Sequence, residues 1–266
     1  MNAPANTQLH QVRAPAGDIG AMDWQGQPID CARCAYAELK ASGGCEIGHA
    51  CMQDSYARRI DRFFRWHPEL ASEQLRHPYF EVRAIAARYA DVFQLPAMID
   101  DPDETVRLQL ALRLPMRALL RLRDDPHREV RIRVAQRLDT DKLSAMVHDE
   151  DYGVRQWVAR RLPMALLPVL VTDKECVVRQ EVAQRIEMPA LFRMVQDPAA
   201  EVRRIVAQRL PASLLDRLCD DEDLVVRWEV AQRADTELLQ RMRKDPDTEV
   251  RAAVEQRLTE SGANHG

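Results

Sequence analysis

Several features of catalytic or membrane proteins are scarce or missing in this sequence. Aromatic residues fill only 5% of its 266 positions, and neither alternating apolar and polar residues nor Val/Ile/Thr-rich runs bounded by turns recur with any regularity, which argues against β-sandwiches and barrels. No apolar run approaches the roughly 18 residues that cross a bilayer, and the N-terminus lacks the short apolar core of a secretory signal. A cytoplasmic protein without membrane contact is therefore expected. Neither sign of charge prevails: 30% of residues are charged, yet the net charge is -4. That balance lacks the basic excess of a typical nucleic-acid binder. No Ser/His/Asp arrangement, phosphate-cradling glycine loop or paired catalytic carboxylates stand out, so no enzymatic activity is expected.

What the chain has is a period. Val-Arg stands at Val82-Arg83, Val106-Arg107, Val130-Arg131, Val154-Arg155, Val178-Arg179, Val202-Arg203, Val226-Arg227 and Val250-Arg251, every 24 residues without a slip. A fixed period of this length means one supersecondary brick stacked on its own copies, each covering an apolar face its neighbour leaves open. Around each Arg the residues at -1, +3 and +7 are apolar, and the residue at +4 is apolar in seven of eight units, as in Val106, Leu110, Ala111 and Leu114; that spacing lays one stripe along a helix. Ala recurs at 87, 111, 135, 159, 183, 207 and 231, a small residue that lets neighbouring helices approach.

Asp101-Pro102-Asp103-Glu104 reads as a capping Asp, a Pro at the first helical position and a Glu in a capping box. The same device is expected at Asp197-Pro198 and Asp245-Pro246. About ten residues then remain before the next start, enough for a very short second helix of the 3₁₀ kind. A Leu recurs there at 95, 119, 143, 167, 191, 215 and 239. Three residues later Met and Leu alternate strictly from Met98 to Met242, which implies a duplicated 48-residue unit. The fold class is all-α, a solenoid of about eight 24-residue units over residues 67–266. Residues 1–22 read as a flexible tail, and 23–66 as a separate module with a capping helix.

That module holds four of the six cysteines in Cys31-x2-Cys34-x10-Cys45-x5-Cys51. Such crowding in a reducing compartment points to a metal site rather than disulfides. The close Cys31/Cys34 pair clasps a centre that Cys45 and Cys51 close, with Gly43, Gly44 and Gly48 letting the backbone wrap tightly around the third ligand. Four thiolates suit zinc or an iron-sulfur cluster, and spacing does not choose between them. His49, between two ligands, is an alternative donor. Cys176 and Cys219 sit in different columns of the repeat, and Cys219 reads as a small core residue.

Taken together, the 24-residue units, the D-P-x-x-x-V-R phrase and the four-cysteine segment resemble the leucine-rich repeat variant family over about 230 residues. The resemblance implies a right-handed superhelix of alternating α and 3₁₀ helices, and a [4Fe-4S] cluster on Cys31, Cys34, Cys45 and Cys51. It implies no settled activity. The expected function is an iron-sulfur interaction protein, binding another protein in electron transfer or redox sensing. The alternative is a structural zinc module on a nucleic-acid- or protein-binding solenoid.

Two arginine columns, Arg83 to Arg251 and Arg113 to Arg257, accompany an Asp column from Asp101 to Asp245. They are expected to pair as an internal ladder, since a guanidinium fork matches a carboxylate and helix-end carbonyls better than Lys does. A polyanion groove would need those arginines free, which makes nucleic acid an unlikely partner. Arg58, Arg59, Arg62 and Arg65 on the capping helix form a candidate docking patch for an acidic redox partner.

Overall fold

A computed structural model describes residues 19–263, with side chains through residue 260. Of the expected tail, residues 1–18 lie outside the described residues. Residues 19–22 are engaged: the carbonyls of Ile19 and Gly20 accept from the Arg59 guanidinium at 2.6 and 3.3 Å.

Among the described residues there is no strand, only isolated bridges at Met22/Pro28, Asp23/Asp54 and Glu46/Ala50. Helices in order are α1 (Ala37–Ala41), α2 (Ala57–Trp66), α3 (Phe80–Tyr89), α4 (Glu104–Arg113), α5 (Met116–Leu119) and α6 (Arg128–Arg137). There follow α7 (Tyr152–Arg161), α8 (Cys176–Arg185), α9 (Ala200–Arg209), α10 (Leu224–Arg233), α11 (Thr236–Met242) and α12 (Thr248–Ala263). Between the long helices run 3₁₀ segments at Pro68–Arg76, Leu95–Met98, Thr140–Met146, Met164–Leu170, Leu191–Gln196 and Ala212–Leu218. The expected short second helix is therefore 3₁₀ in most repeats and α at α5 and α11.

The chain divides into two compact parts that meet in sequence between Leu122 and Arg123. In the first, α2 packs on α3 and on Pro68–Arg76, and α3 packs on α4. The boundary expected near residue 66 is not a break in packing, because Ile60, Phe63 and Phe64 of α2 are fully buried and the Tyr89 hydroxyl of α3 donates to Asp61 of α2 at 3.0 Å. In the second part, α6 through α10 pack in succession and α12 closes on α10 and α11.

The bricks bury the expected stripe, except the last, where Glu255 is exposed and Leu258 only half-buried. Val154, Val158, Ala159, Leu162 and Leu167 are wholly excluded from solvent, as are their counterparts Val202, Val206, Ala207, Leu210 and Leu215. Each such Val or Leu side chain is worth about 1.5–3 kcal/mol relative to an exposed one, a gain available only when the next brick covers it.

The helix starts differ from the sequence expectation by two residues. The N-cap of α4 is Asp103, not Asp101, and its carboxylate accepts from Thr105 N at 2.8 Å. Pro102 accordingly precedes the cap. Asp101 instead accepts from Asp103 N at 3.0 Å, and Asp197 and Asp245 do the same with Ala199 N and Asp247 N at 2.9 and 2.8 Å. A carboxylate that closes a turn over the amide two residues on leaves its outer edge facing the preceding brick, where a guanidinium can reach it.

That guanidinium comes from the first arginine column. Arg83 forks Asp101 at 2.8 and 2.9 Å, and Arg131–Asp149, Arg155–Asp173, Arg179–Asp197, Arg203–Asp221 and Arg227–Asp245 repeat the fork 18 residues apart. The remaining Nη1 of each turns to carbonyls just ahead of its own helix, as from Arg155 to Asp149 O at 2.8 Å. The second column takes the helix ends: Arg113 reaches Ala87 O and Ala90 O at 2.7 and 2.8 Å, and Arg209 reaches Ala183 O and Ile186 O at 2.6 and 2.7 Å. A helix's last carbonyls have no intrahelical donor, and here an Arg from the following helix supplies one. The repeat thus ends its helices without a left-handed residue, and the array from residue 67 to 260 contains one glycine, Gly153.

Candidate metal centre

The four-cysteine segment has little regular structure, so its turns do the positioning. Cys31–Arg33 forms one 3₁₀ turn, started by Asp30, whose side chain accepts from Ala32 N at 2.9 Å. Residues three apart eclipse in a 3₁₀ turn, which aims Cys31 and Cys34 the same way. After α1, Gly43 adopts φ +76°, a left-handed conformation with little cost for glycine. At Gly44 the reason is space: a Cβ there would lie 3.2 Å from both His67 Nε2 and Leu39 O. Glu46 and Ala50 exchange backbone hydrogen bonds at 2.9 Å, with Gly48 at φ +78° inside the loop. Cys45 and Cys51, which flank that pair, are thereby held at its open end.

All four cysteines line one sheltered pocket, together with Ile29, Tyr36, Ala37, Lys40, Ile47 and Gln53. Cys51 lies deepest at 7% exposure, while Cys31, Cys34 and Cys45 are half-buried. Burial pushes the Cys51 thiol up to about 11; the Gln53 backbone amide opposes this, and the charges of Cys34, Asp54 and Cys45 add to it. Burial also raises Cys45, reinforced by Cys34 and Cys31 and opposed by Lys40. Both shifts disfavour the thiolate form of Cys45 and Cys51, the form a bound cationic centre would favour.

The donor set is sulfur throughout. Four thiolates lining one pocket are a donor set that fits either a tetrahedral zinc or an iron-sulfur cluster with a thiolate at each iron.

Surrounding contacts hold the pocket's floor. Asp54 is fully buried and pairs with Arg59 Nη1 at 3.0 Å, while its Oδ1 accepts from Tyr56 N at 2.9 Å. Arg59 O in turn accepts from Cys51 N at 3.1 Å. His49, the alternative donor, instead places Nδ1 2.8 Å from Arg62 Nη1. Of the four arginines expected to form a docking patch, Arg59 and Arg62 are thus drawn inward. Arg58 and Arg65 remain exposed, the latter paired with Asp61 at 2.6 Å. Charge alternation along α2 did not reveal this, because the buried partners lie outside the helix.

Tyr36 and His67 were missed entirely by the sequence reading. Tyr36 N donates to Cys34 Sγ at 3.4 Å, its hydroxyl contacts Glu73 Oε2 at 3.1 Å, and Gln74 Nε2 donates to that hydroxyl at 2.7 Å. His67 Nε2 lies 2.6 Å from Gly44 O. Neither residue belongs to a spacing pattern, and only the fold brings them to the cysteines. Elsewhere Cys219 is buried, its thiol donating to Asp216 O at 3.2 Å, and Cys176 is half-buried on α8. Among the described residues no helix is long and apolar enough to cross a membrane.

Comparison with known proteins bears on both the module and the array. Residues 21–73 match the family described as LRV protein FeS4 cluster, and residues 200–223 match the leucine rich repeat variant family. A solved structure of a leucine-rich repeat variant with a novel repetitive structural motif is 43% identical, covers 86% of this chain and 99% of its own, and superposes with a TM-score of 0.83. An uncharacterized 27.7 kDa protein in the nifB 3′ region of Rhodobacter capsulatus is 51% identical over 94 residues. That match covers 35% of this chain and spans only 38% of the relative's length.

Proposed function

From the premise that this chain belongs to the leucine-rich repeat variant family and is an iron-sulfur-containing repeat protein, we propose that it is a non-enzymatic interaction protein. In this reading its array presents a surface to a protein partner, and its N-terminal centre passes or senses single electrons. The observation that carries it is the common pocket of Cys31, Cys34, Cys45 and Cys51, within a module whose α2 packs directly on the first helix of the array. Events at the cysteines therefore have a short mechanical route to the repeats.

The residues have distinct tasks. Cys31, Cys34, Cys45 and Cys51 would each hold one iron of a four-iron cluster, leaving no protein ligand position open for a substrate. Bound there, the cluster supplies one-electron chemistry. Ile29, Ala37 and Ile47 supply apolar lining to the pocket, and the Lys40 ammonium offsets part of the thiolate charge. Solvent exclusion, nearby charge and hydrogen bonds to sulfur are the levers that set such a centre's potential.

Anaerobic purification followed by iron and sulfide analysis tests the cofactor. About four of each per chain, with a brown colour and broad absorption near roughly 400 nm, is the expected result. A redox titration monitored by EPR tests the role, and a reversible one-electron couple is expected. A loaded centre that neither accepts nor donates an electron would refute the redox role.

A further inference from the structure

We infer that Tyr36 is the positioning residue that couples the electron count of the cysteine-bound centre to the first segment of the repeat array. This rests on the iron-sulfur reading above and identifies how that site would be regulated. Tyr36 makes two kinds of contact with one rigid side chain between them. Its backbone N–H donates to the sulfur of Cys34 at 3.4 Å. Its hydroxyl, at the far end of the ring, contacts the Glu73 carboxylate at 3.1 Å and accepts from Gln74 at 2.7 Å. Both partners belong to Pro68–Arg76, the first 3₁₀ segment of the array, which packs on α2 and α3. The ring itself rests against Phe63 of α2, with centroids 5.8 Å apart.

The coupling follows from electrostatics. Cys34 Sγ would hold one iron of the bound cluster, and an electron supplied to that cluster by a reduced iron-sulfur or flavin protein would make this thiolate a more negative acceptor for the Tyr36 amide. A hydrogen bond to a more negative acceptor shortens and strengthens, drawing in the Tyr36 amide. The ring transmits that displacement to the bonds with Glu73 and Gln74. Returning the electron to a one-electron acceptor reverses it. Because coupling between two equilibria is reciprocal, a partner that shifts Pro68–Arg76 must also change the reduction potential. His67 forms a second link, from Gly44 O beside Cys45 to the residue preceding Pro68, but it touches no cysteine sulfur. Glu73 also lines an open groove with Ser72, Arg76, Phe93 and Asp100, so the segment that would move borders exposed surface.

The test uses the full chain, loaded anaerobically, in wild-type form and as Tyr36→Phe, which keeps the ring and the backbone donor but removes the hydroxyl. A second variant, Glu73→Ala/Gln74→Ala, cuts the same link from the array side. Iron content, midpoint potential and amide hydrogen exchange are measured in oxidised and dithionite-reduced samples. In wild type, exchange across residues 68–76 should differ between the two oxidation states. In both variants, at unchanged iron content, that difference should be lost and the midpoint potential shifted. If the redox-dependent difference persists in both variants, or is absent from loaded wild type, the coupling is refuted while the cofactor reading stands. If wild type takes up no iron, both are refuted.

Discussion

Replacing Arg155 by Leu isolates the ladder's contribution, because its surroundings are complete and specific. Arg155 and Asp173 are each 5% exposed at the side chain. The guanidinium donates to Asp173 Oδ2 and Oδ1 at 2.7 and 2.9 Å, and to Asp149 O and Glu150 O at 2.8 and 3.1 Å. Leu fills part of the volume and donates nothing. Asp173 would retain the Glu175 amide at 2.9 Å and the weaker influence of the Lys174 charge, but would be a buried carboxylate without its ion-pair partner. An exposed pair contributes about 0–1 kcal/mol, whereas removing one partner of a buried pair costs about 3–5 kcal/mol; the burial here selects the larger figure. Urea unfolding followed by far-UV circular dichroism at pH 7 reads it as a lower midpoint at similar slope. The double variant Arg155→Leu/Asp173→Leu should recover most of the loss, since an apolar pair of similar size is often neutral or better.

Acidity separates this account from simple loss of packing. Burial alone would raise Asp173, but the Arg155 hydrogen bond, the Glu175 amide and the Arg155 charge outweigh it and hold the carboxyl below its ordinary range. Its stabilisation is therefore complete above the unfolded value of about 3.9 and lost as pH falls through the lower folded value. Without Arg155, burial acts unopposed by that charge, so the gap between wild type and variant should narrow on acidification below about pH 4. A cost under about 1 kcal/mol at pH 7, or a gap independent of pH, would refute the reasoning.

Other perturbations probe separate parts of the molecule. Arg209→Met removes the donor for Ala183 O and Ile186 O and should cost about 1–3 kcal/mol, with faster amide exchange at the end of α8. Ala183→Leu inserts three carbons into a fully buried small-residue column and should cost about 1–3 kcal/mol in urea unfolding. Cys51→Ser removes the deepest ligand and should abolish or sharply reduce the brown chromophore; an unchanged spectrum and iron count would remove Cys51 from the ligand set. Gly48→Ala forces alanine into φ +78° at about 1–2 kcal/mol, and thermal melts of the loaded chain should show it while iron content stays constant.

Much of the array could be read from one chain. The 24-residue spacing of Val-Arg predicts the long helices, and the stripe Val154, Val158, Ala159 and Leu162 predicts their buried face, because a helix repeats its contacts with the period of its backbone. Cys31-x2-Cys34 likewise predicts a shared direction for two sulfurs, since the three-residue step corresponds to one tight turn. The cap assignment was misread at Asp101 because Asp-Pro-Asp offers two carboxylates of equal capping competence. Only the preceding brick's Arg83, 18 residues upstream, draws one of them away. Which arginines of α2 stay exposed was illegible for a related reason: Arg59 and Arg62 resemble Arg58 and Arg65 until Asp54 and His49 fold against them.

By itself, the sequence determined the brick, its length, its apolar stripe and the four thiols, because each is a local property carried by residues within one or two turns. Tertiary structure decided which charges face one another, which arginines remain exposed, and that Tyr36 joins Cys34 to Glu73 and Gln74. Those outcomes depend on groups that are distant along the chain, and a hydrogen bond's energy depends on separation in space.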